Sequence, residues 1–145
     1  MSALKPADPC LACAATDAAP LTERCERCGA EAPAVPPFAL RADNFVAELR
    51  ATAVTIALYR SDDCAPCRKL APVFDQAAAC RRHLRFAVCD VDADPLLAEA
   101  QHIANLPTIV VYAGGRERAR ISGTMRLSAL LDWIAFQTDA LVAAR

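Results

Sequence analysis

Val54-Thr55-Ile56-Ala57-Leu58-Tyr59-Arg60-Ser61-Asp62-Asp63-Cys64-Ala65-Pro66-Cys67-Arg68-Lys69-Leu70 decides how this chain folds. Its first six residues are apolar, β-branched or aromatic, the composition of a buried strand. After Cys67, the residues Leu70, Val73, Phe74 and Ala77 recur at helical spacing, so an amphipathic helix follows. The two thiols therefore lie where a strand ends and a helix opens. The first N–H groups of a helix have no intrahelical partner, and its dipole places partial positive charge near the first sulfur. That setting lowers the pKa of Cys64 and makes it a nucleophile. Cys67, one turn further, is close enough to close a disulfide. Pro66 suits an early helical position, where a missing N–H costs nothing. The stretch predicts a dithiol redox site.

The chain has 145 residues, enough for one domain with a proper core and a small appendage. Sixteen basic residues against 17 acidic ones give a formal net charge of −1. Nothing in that balance calls for nucleic acid or an anionic membrane surface. Met1-Ser2-Ala3-Leu4-Lys5-Pro6 lacks the apolar centre of a signal peptide, and no run approaches transmembrane length. The expected setting is the cytosol of a bacterium, and the expected state a monomer.

Eight cysteines in a cytosolic chain point to metal or redox chemistry rather than disulfide scaffolding. Six of them form three Cys-x-x-Cys pairs. Residues 1–30 hold two, Cys10-Leu11-Ala12-Cys13 and Cys25-Glu26-Arg27-Cys28, in a segment too poor in large apolar residues to build a core. Four thiolates, Cys10, Cys13, Cys25 and Cys28, can hold a structural Zn²⁺ tetrahedrally, the metal supplying the folding energy. Gly29 would let the backbone turn tightly around it. The competing reading is two unrelated redox or structural pairs. Residues 31–37, Glu31-Ala32-Pro33-Ala34-Val35-Pro36-Pro37, form a semi-rigid linker.

The second domain, residues 38–145, opens with a short edge strand at Phe38-Ala39-Leu40 and a helix capped by Asp43. The helix after Cys64 extends to about Arg82, with Pro72 expected to kink it. Arg85–Val91 reads as a second central strand, and Asp94-Pro95 caps a helix reaching about His102. Leu106-Pro107 precedes a third strong strand, Thr108–Tyr112, and Gly114-Gly115 turns it into Arg116–Ile121. A last helix starts near Ser128, with Leu127, Leu130, Leu131, Ile134, Leu141 and Val142 on one stripe. The order βαβαβ, hairpin, helix predicts an α/β fold with a mixed sheet covered on both faces.

This layout, with Cys-x-Pro-Cys after the first central strand, resembles the thioredoxin family. Pro72, Leu106-Pro107-Thr108, Gly114-Gly115 and Gly123 match the family pattern. With the Cys₄ segment, nearly the whole chain resembles the family's zinc-binding bacterial branch, the thioredoxin 2 type: a zinc-ribbon-like module ahead of a thioredoxin fold. The resemblance implies a protein-disulfide reductase in which Cys64 attacks, Cys67 resolves and Pro107 is a cis-proline facing them. It also implies that backbone near Pro107 pairs with extended substrate, with Gly123 on the rim of that groove. Partners would be disulfide-containing proteins and a flavin- and NADPH-dependent thioredoxin reductase, with Zn²⁺ but no bound organic cofactor.

The departures from the family bear on mechanism. The family usually has Trp-Cys-Gly-Pro-Cys; here Asp63 replaces the Trp and Ala65 the Gly. The family's buried carboxylate falls at Leu58, its partner lysine at about Val88, and an aromatic at Arg60. Losing both ionisable groups together is coherent, because losing one would leave an uncompensated buried charge. It also removes the usual proton acceptor for Cys67. Asp62 and Asp63 oppose thiolate formation at Cys64, whereas Arg60, Arg68 and Lys69 favour it. The expectation is a working dithiol that resolves slowly unless Asp62 or Asp63 substitutes as the base.

Cys80 and Cys89 read as buried packing thiols, His83 and His102 as surface residues, Arg81-Arg82 as a solvated helix end, and Trp133 and Phe136 as packing. Two other functions fit the sequence. One is a zinc-dependent redox sensor or holdase that loses its metal on oxidation. The other is a non-catalytic interaction module on the same fold.

Overall fold

The apolar runs become the strands of one sheet. The computed structural model describes residues 36–81 and 84–143. The described chain runs β1 (Phe38–Ala39), α1 (Phe45–Ala51), β2 (Val54–Arg60), α2 (Ala65–Cys80), β3 (Arg85–Asp90), α3 (Pro95–Ala100), β4 (Thr108–Ala113), β5 (Arg116–Ser122) and α4 (Leu127–Ala143). The strand order is β1-β3-β2-β4-β5. The first three are parallel; β4 and β5 are antiparallel to their neighbours. The expected mixed sheet is present, with β2 at its centre because every residue from Val54 to Tyr59 is buried.

Strand alternation sends the odd and even residues of β2 to opposite faces. Ile56 and Leu58 join Leu70, Phe74 and Ala77 of α2 and Leu130 and Ile134 of α4. Ala57 and Tyr59 join Leu49 of α1 and Leu97 of α3. Helices therefore cover both faces. Gly114 and Gly115, at φ +61° and +81°, make the two-residue turn between β4 and β5, a left-handed geometry that glycine adopts without Cβ strain. Among the described residues, no helix is long and apolar enough to cross a membrane.

Four local expectations need correcting. Asn44, not Asp43, precedes α1, and its side chain makes no cap bond; it instead accepts from Arg41 N–H at 2.7 Å and donates to the Ala39 carbonyl at 2.9 Å. Asp43 pairs with Arg41. α3 ends at Ala100, because the chain turns through His102 at φ +55°. Phe136 is 81% exposed, whereas Trp133 packs on the core; on α4 the i, i+4 series Leu130, Ile134, Thr138 is the buried one. The fourth concerns Cys80, which is only half-buried, while Cys89 is buried as expected. His102 is exposed, and Asp94 caps α3 through Leu97 N–H. Pro72 falls inside α2, which continues to Cys80. His83 and Arg82, Cys10, Cys13, Cys25, Cys28, and the linker up to residue 35 lie outside the described residues.

Candidate active site

β2 delivers the chain to the carboxyl end of the sheet, and α2 begins there. Cys64 occupies the N-cap position with extended backbone, and Pro66 sits in the first turn. Cys64 and Cys67 form a disulfide, with Cα atoms 5.2 Å apart. Cys67 N–H points at Cys64 Sγ at 3.2 Å, so a free helix-terminal donor is aimed at the sulfur that the sequence marks as the nucleophile. Cys64 is half-buried; Cys67 is fully buried. One sulfur can be reached from solution while the other continues the helix stripe of Leu70 and Phe74.

The turn before Cys64 is held at several points. Asp62 Oδ1 accepts from Arg60 Nη2 at 2.6 Å, and the Asp62 carbonyl accepts from Arg68 Nη1 at 2.7 Å. Asp62 is therefore engaged by cations on both sides. The Asp63 carboxylate is exposed and has no partner among the described residues. Arg60, standing at the family's aromatic position, keeps its Nε buried without a hydrogen bond. Ser61, which sequence reasoning passed over, is buried and donates to Asp92 Oδ2 at 2.5 Å. Nothing in the sequence signals that pair, since the residues are separated by a whole α2–β3 unit.

Leu58 and Val88 are direct neighbours in the β2–β3 register. Leu58 is 1% exposed, and Val88 packs on the same cluster. The floor beneath α2 is therefore hydrocarbon at both positions where the family places an ion pair.

The Leu106–Pro107 peptide bond is cis. Thr108 pairs with Tyr59 in the β2–β4 register, which puts Pro107 at the same end of the sheet as the turn to Cys64. The Pro107 carbonyl accepts from Gly123 N–H at 2.9 Å, and Thr108 Oγ1 lies 2.9 Å from Ser122 Oγ. Gly123 has φ +99°, and a Cβ there would meet nothing within 4 Å. Its outer side is open.

These groups can perform thiol–disulfide exchange: one accessible sulfur at a helix N-terminus and one buried sulfur within bonding reach. Among the described residues, no cluster of three or more His, Cys, Asp or Glu is placed to hold a metal.

Known proteins agree with this geometry. The thioredoxin family profile matches residues 36–136. Thioredoxin C-3 of Corynebacterium nephridii is 38% identical over 71 residues, 49% of this chain and 49% of that protein. The chain thus spans about half the length of that relative. A bifunctional thioredoxin reductase/thioredoxin of Mycobacterium leprae is 36% identical over 69 residues, 47% of this chain and 15% of that protein. A point-mutant thioredoxin from Halobacterium salinarum superposes with a TM-score of 0.67 at 27% identity, covering 75% of this chain and 96% of that one. The chain belongs to the thioredoxin family.

Proposed function

We propose that this protein reduces disulfides in other proteins. Cys64, as thiolate, attacks one sulfur of a target disulfide; an S–S bond forms to Cys64 and the other target sulfur leaves as a thiolate. Cys67 then loses its proton and attacks the Cys64 sulfur. The substrate leaves with both cysteines reduced, and two electrons have passed from the Cys64–Cys67 dithiol, which becomes the disulfide. The observation behind this reading is the Cys64–Cys67 disulfide at the start of α2, with Cys67 N–H directed at Cys64 Sγ.

Substrate backbone lies along Pro107, where the open side of Gly123 leaves room for an extended chain. With Asp62 held by Arg60, Asp63 is the freer of the two carboxylates to take the Cys67 proton. Pro66 fixes the first turn of α2. A flavin- and NADPH-dependent thioredoxin reductase restores the dithiol; the Mycobacterium leprae relative is named for both activities in one chain. Upstream, the four-thiolate set Cys10, Cys13, Cys25 and Cys28 suits Zn²⁺, in a structural role that leaves no open coordination position. The cytosol, where such a dithiol is kept reduced, is the compartment that fits.

Insulin-disulfide reduction with thioredoxin reductase and NADPH tests the reading. Turnover in the wild type should vanish in Cys64→Ser. Activity persisting in that variant, or absent from a folded wild type, would overturn it. In single-turnover experiments, Asp63→Asn should slow resolution of the mixed disulfide, and Asp62→Asn should not.

A further inference from the structure

The turn Ser61–Asp63 lacks the aromatic side chain that the family sets before the first cysteine, yet it is anchored. Ser61 Oγ sits between two groups. It accepts from Asp63 N–H at 3.3 Å and donates to Asp92 Oδ2 at 2.5 Å. The Ser61 carbonyl accepts from Cys64 N–H at 3.3 Å. Asp92 is itself braced, because its N–H bonds to Asp90 Oδ1 at 2.9 Å and the adjoining Val91 N–H bonds to the Arg60 carbonyl at 2.9 Å. Asp92, in the turn after β3, thus holds Ser61, whose hydroxyl fastens Asp63 N–H and whose carbonyl fastens Cys64 N–H.

We propose that Ser61 and Asp92 act together as a positioning pair for Cys64, holding its sulfur over the Cys67 N–H so that the helix terminus stabilises the thiolate. The proposal rests on the reading of Cys64 as the attacking thiol. The stabilisation a helix end gives to an anion falls off within the first turn, so it depends on where the preceding turn places the sulfur. Breaking the clasp frees that turn, and part of the stabilisation is averaged away.

The charges nearby must be separated from this effect. They are Arg60 on β2, Asp62 and Asp63 in the turn, Arg68 and Lys69 on α2, Asp90 at the end of β3, and Asp92 itself; residues 103–107 and 123–125 carry none. As a bare negative charge, Asp92 would raise the Cys64 pKa, and its removal would lower it. As half of a clasp, its removal does the opposite. The two roles differ in sign.

The readout is the pH dependence of Cys64 alkylation by iodoacetamide in the reduced full-length protein, followed at the Cys64 peptide by mass spectrometry. It needs neither turnover nor a reductase. A failed insulin assay would therefore be distinguished from a failed clasp. Ser61→Ala and Asp92→Ala should each raise the apparent pKa of Cys64 by about half a unit, roughly a threefold loss of thiolate below the pKa. The double variant should shift no further than either single one. Asp92→Asn, which keeps an acceptor for Ser61, should stay near wild type. Asp92 is exposed, so its variants test the clasp even where Ser61→Ala fails to fold. A downward shift shared by Asp92→Ala and Asp92→Asn, additive shifts, or no shift at all would overturn the proposal.

Discussion

The two faces of the sheet bury different chemistry. Beneath α2 and α4, the contact surface of β2 and β3 is hydrocarbon: Ile56, Leu58, Phe86 and Val88. Beneath α1 and α3 lies a polar chain. The Tyr59 and Tyr112 hydroxyls are 2.6 Å apart, and Tyr112 donates to Gln101 Oε1 at 3.0 Å, so Tyr59 is the donor to Tyr112. Burial pushes the hydroxyl of Tyr112 up to about 12 and that of Tyr59 higher still. Around Tyr112, Arg120 fastens the end of α3 through the carbonyls of Gln101 and His102. On the face that bears the redox pair, β2 and β3 thus stay hydrocarbon until Arg60 at the end of β2, and the hydroxyl chain lies on the far side of the sheet. Proton traffic to Cys67 must enter from the turn and solvent, because the strands below it offer Leu58 and Val88 in place of an acid.

The largest effect should come from putting charge back on the apolar face. Leu58→Asp leaves a buried carboxylate without a partner and should cost about 3–5 kcal/mol in urea denaturation. Adding Val88→Lys, its register neighbour, should recover part of that loss. If Leu58→Asp were as stable as wild type, the face would not be the dry surface described. On the polar face the expected cost is smaller and asymmetric. Tyr112→Phe strands the Tyr59 hydroxyl and should cost about 1–3 kcal/mol, whereas Tyr59→Phe leaves Tyr112 bonded to Gln101 and should cost less. Equal losses would mean that the hydroxyl chain does not run in that direction.

The third prediction concerns pH. Cys89 lies on the same face as the tyrosines, and burial, with Asp94 and Asp90 adding to it, pushes its thiol from 9.0 up to about 11. The native state keeps this proton where the unfolded chain has lost it. Its contribution is therefore complete below pH 9 and disappears as pH rises towards 11. The decline amounts to roughly 1–3 kcal/mol. Cys89→Ala should flatten that part of the stability profile, whatever the substitution costs at neutral pH. An unchanged slope would count against a thiol kept neutral by burial.

The sequence was most readable where one residue pattern allows one structure. Buried β-branched runs fix β2 and β4; two glycines fix the hairpin; Cys-x-Pro-Cys at a strand-to-helix junction fixes the disulfide. That Leu58 and Val88 belong together was implied by the family resemblance and not by any local pattern, and the parallel β2–β3 register sets them side by side. The features that no pattern announced depend on competition or distance. Asp43 was the expected cap, but Arg41 claims its carboxylate, and Asn44 takes the position before α1 with its side chain bonded to strand-end backbone groups. Phe136 looked like core by its character, but its position falls off the i, i+4 stripe. Ser61 and Asp92 meet only after α2 and β3 have folded between them, and local spacing carries no trace of such a pair.

The margins of the sheet have a consequence for solubility. β1 at one border is two residues long, and β5 at the other presents Arg116, Glu117, Arg118 and Arg120 in a largely exposed row. Short or charged borders resist the uninvited addition of further strands. A protein that offers backbone to extended chains beside Pro107, as proposed above, would otherwise be exposed to indiscriminate stacking. Here one border is too short and the other too charged to favour such contacts, which leaves strand addition disfavoured along both sides of the sheet.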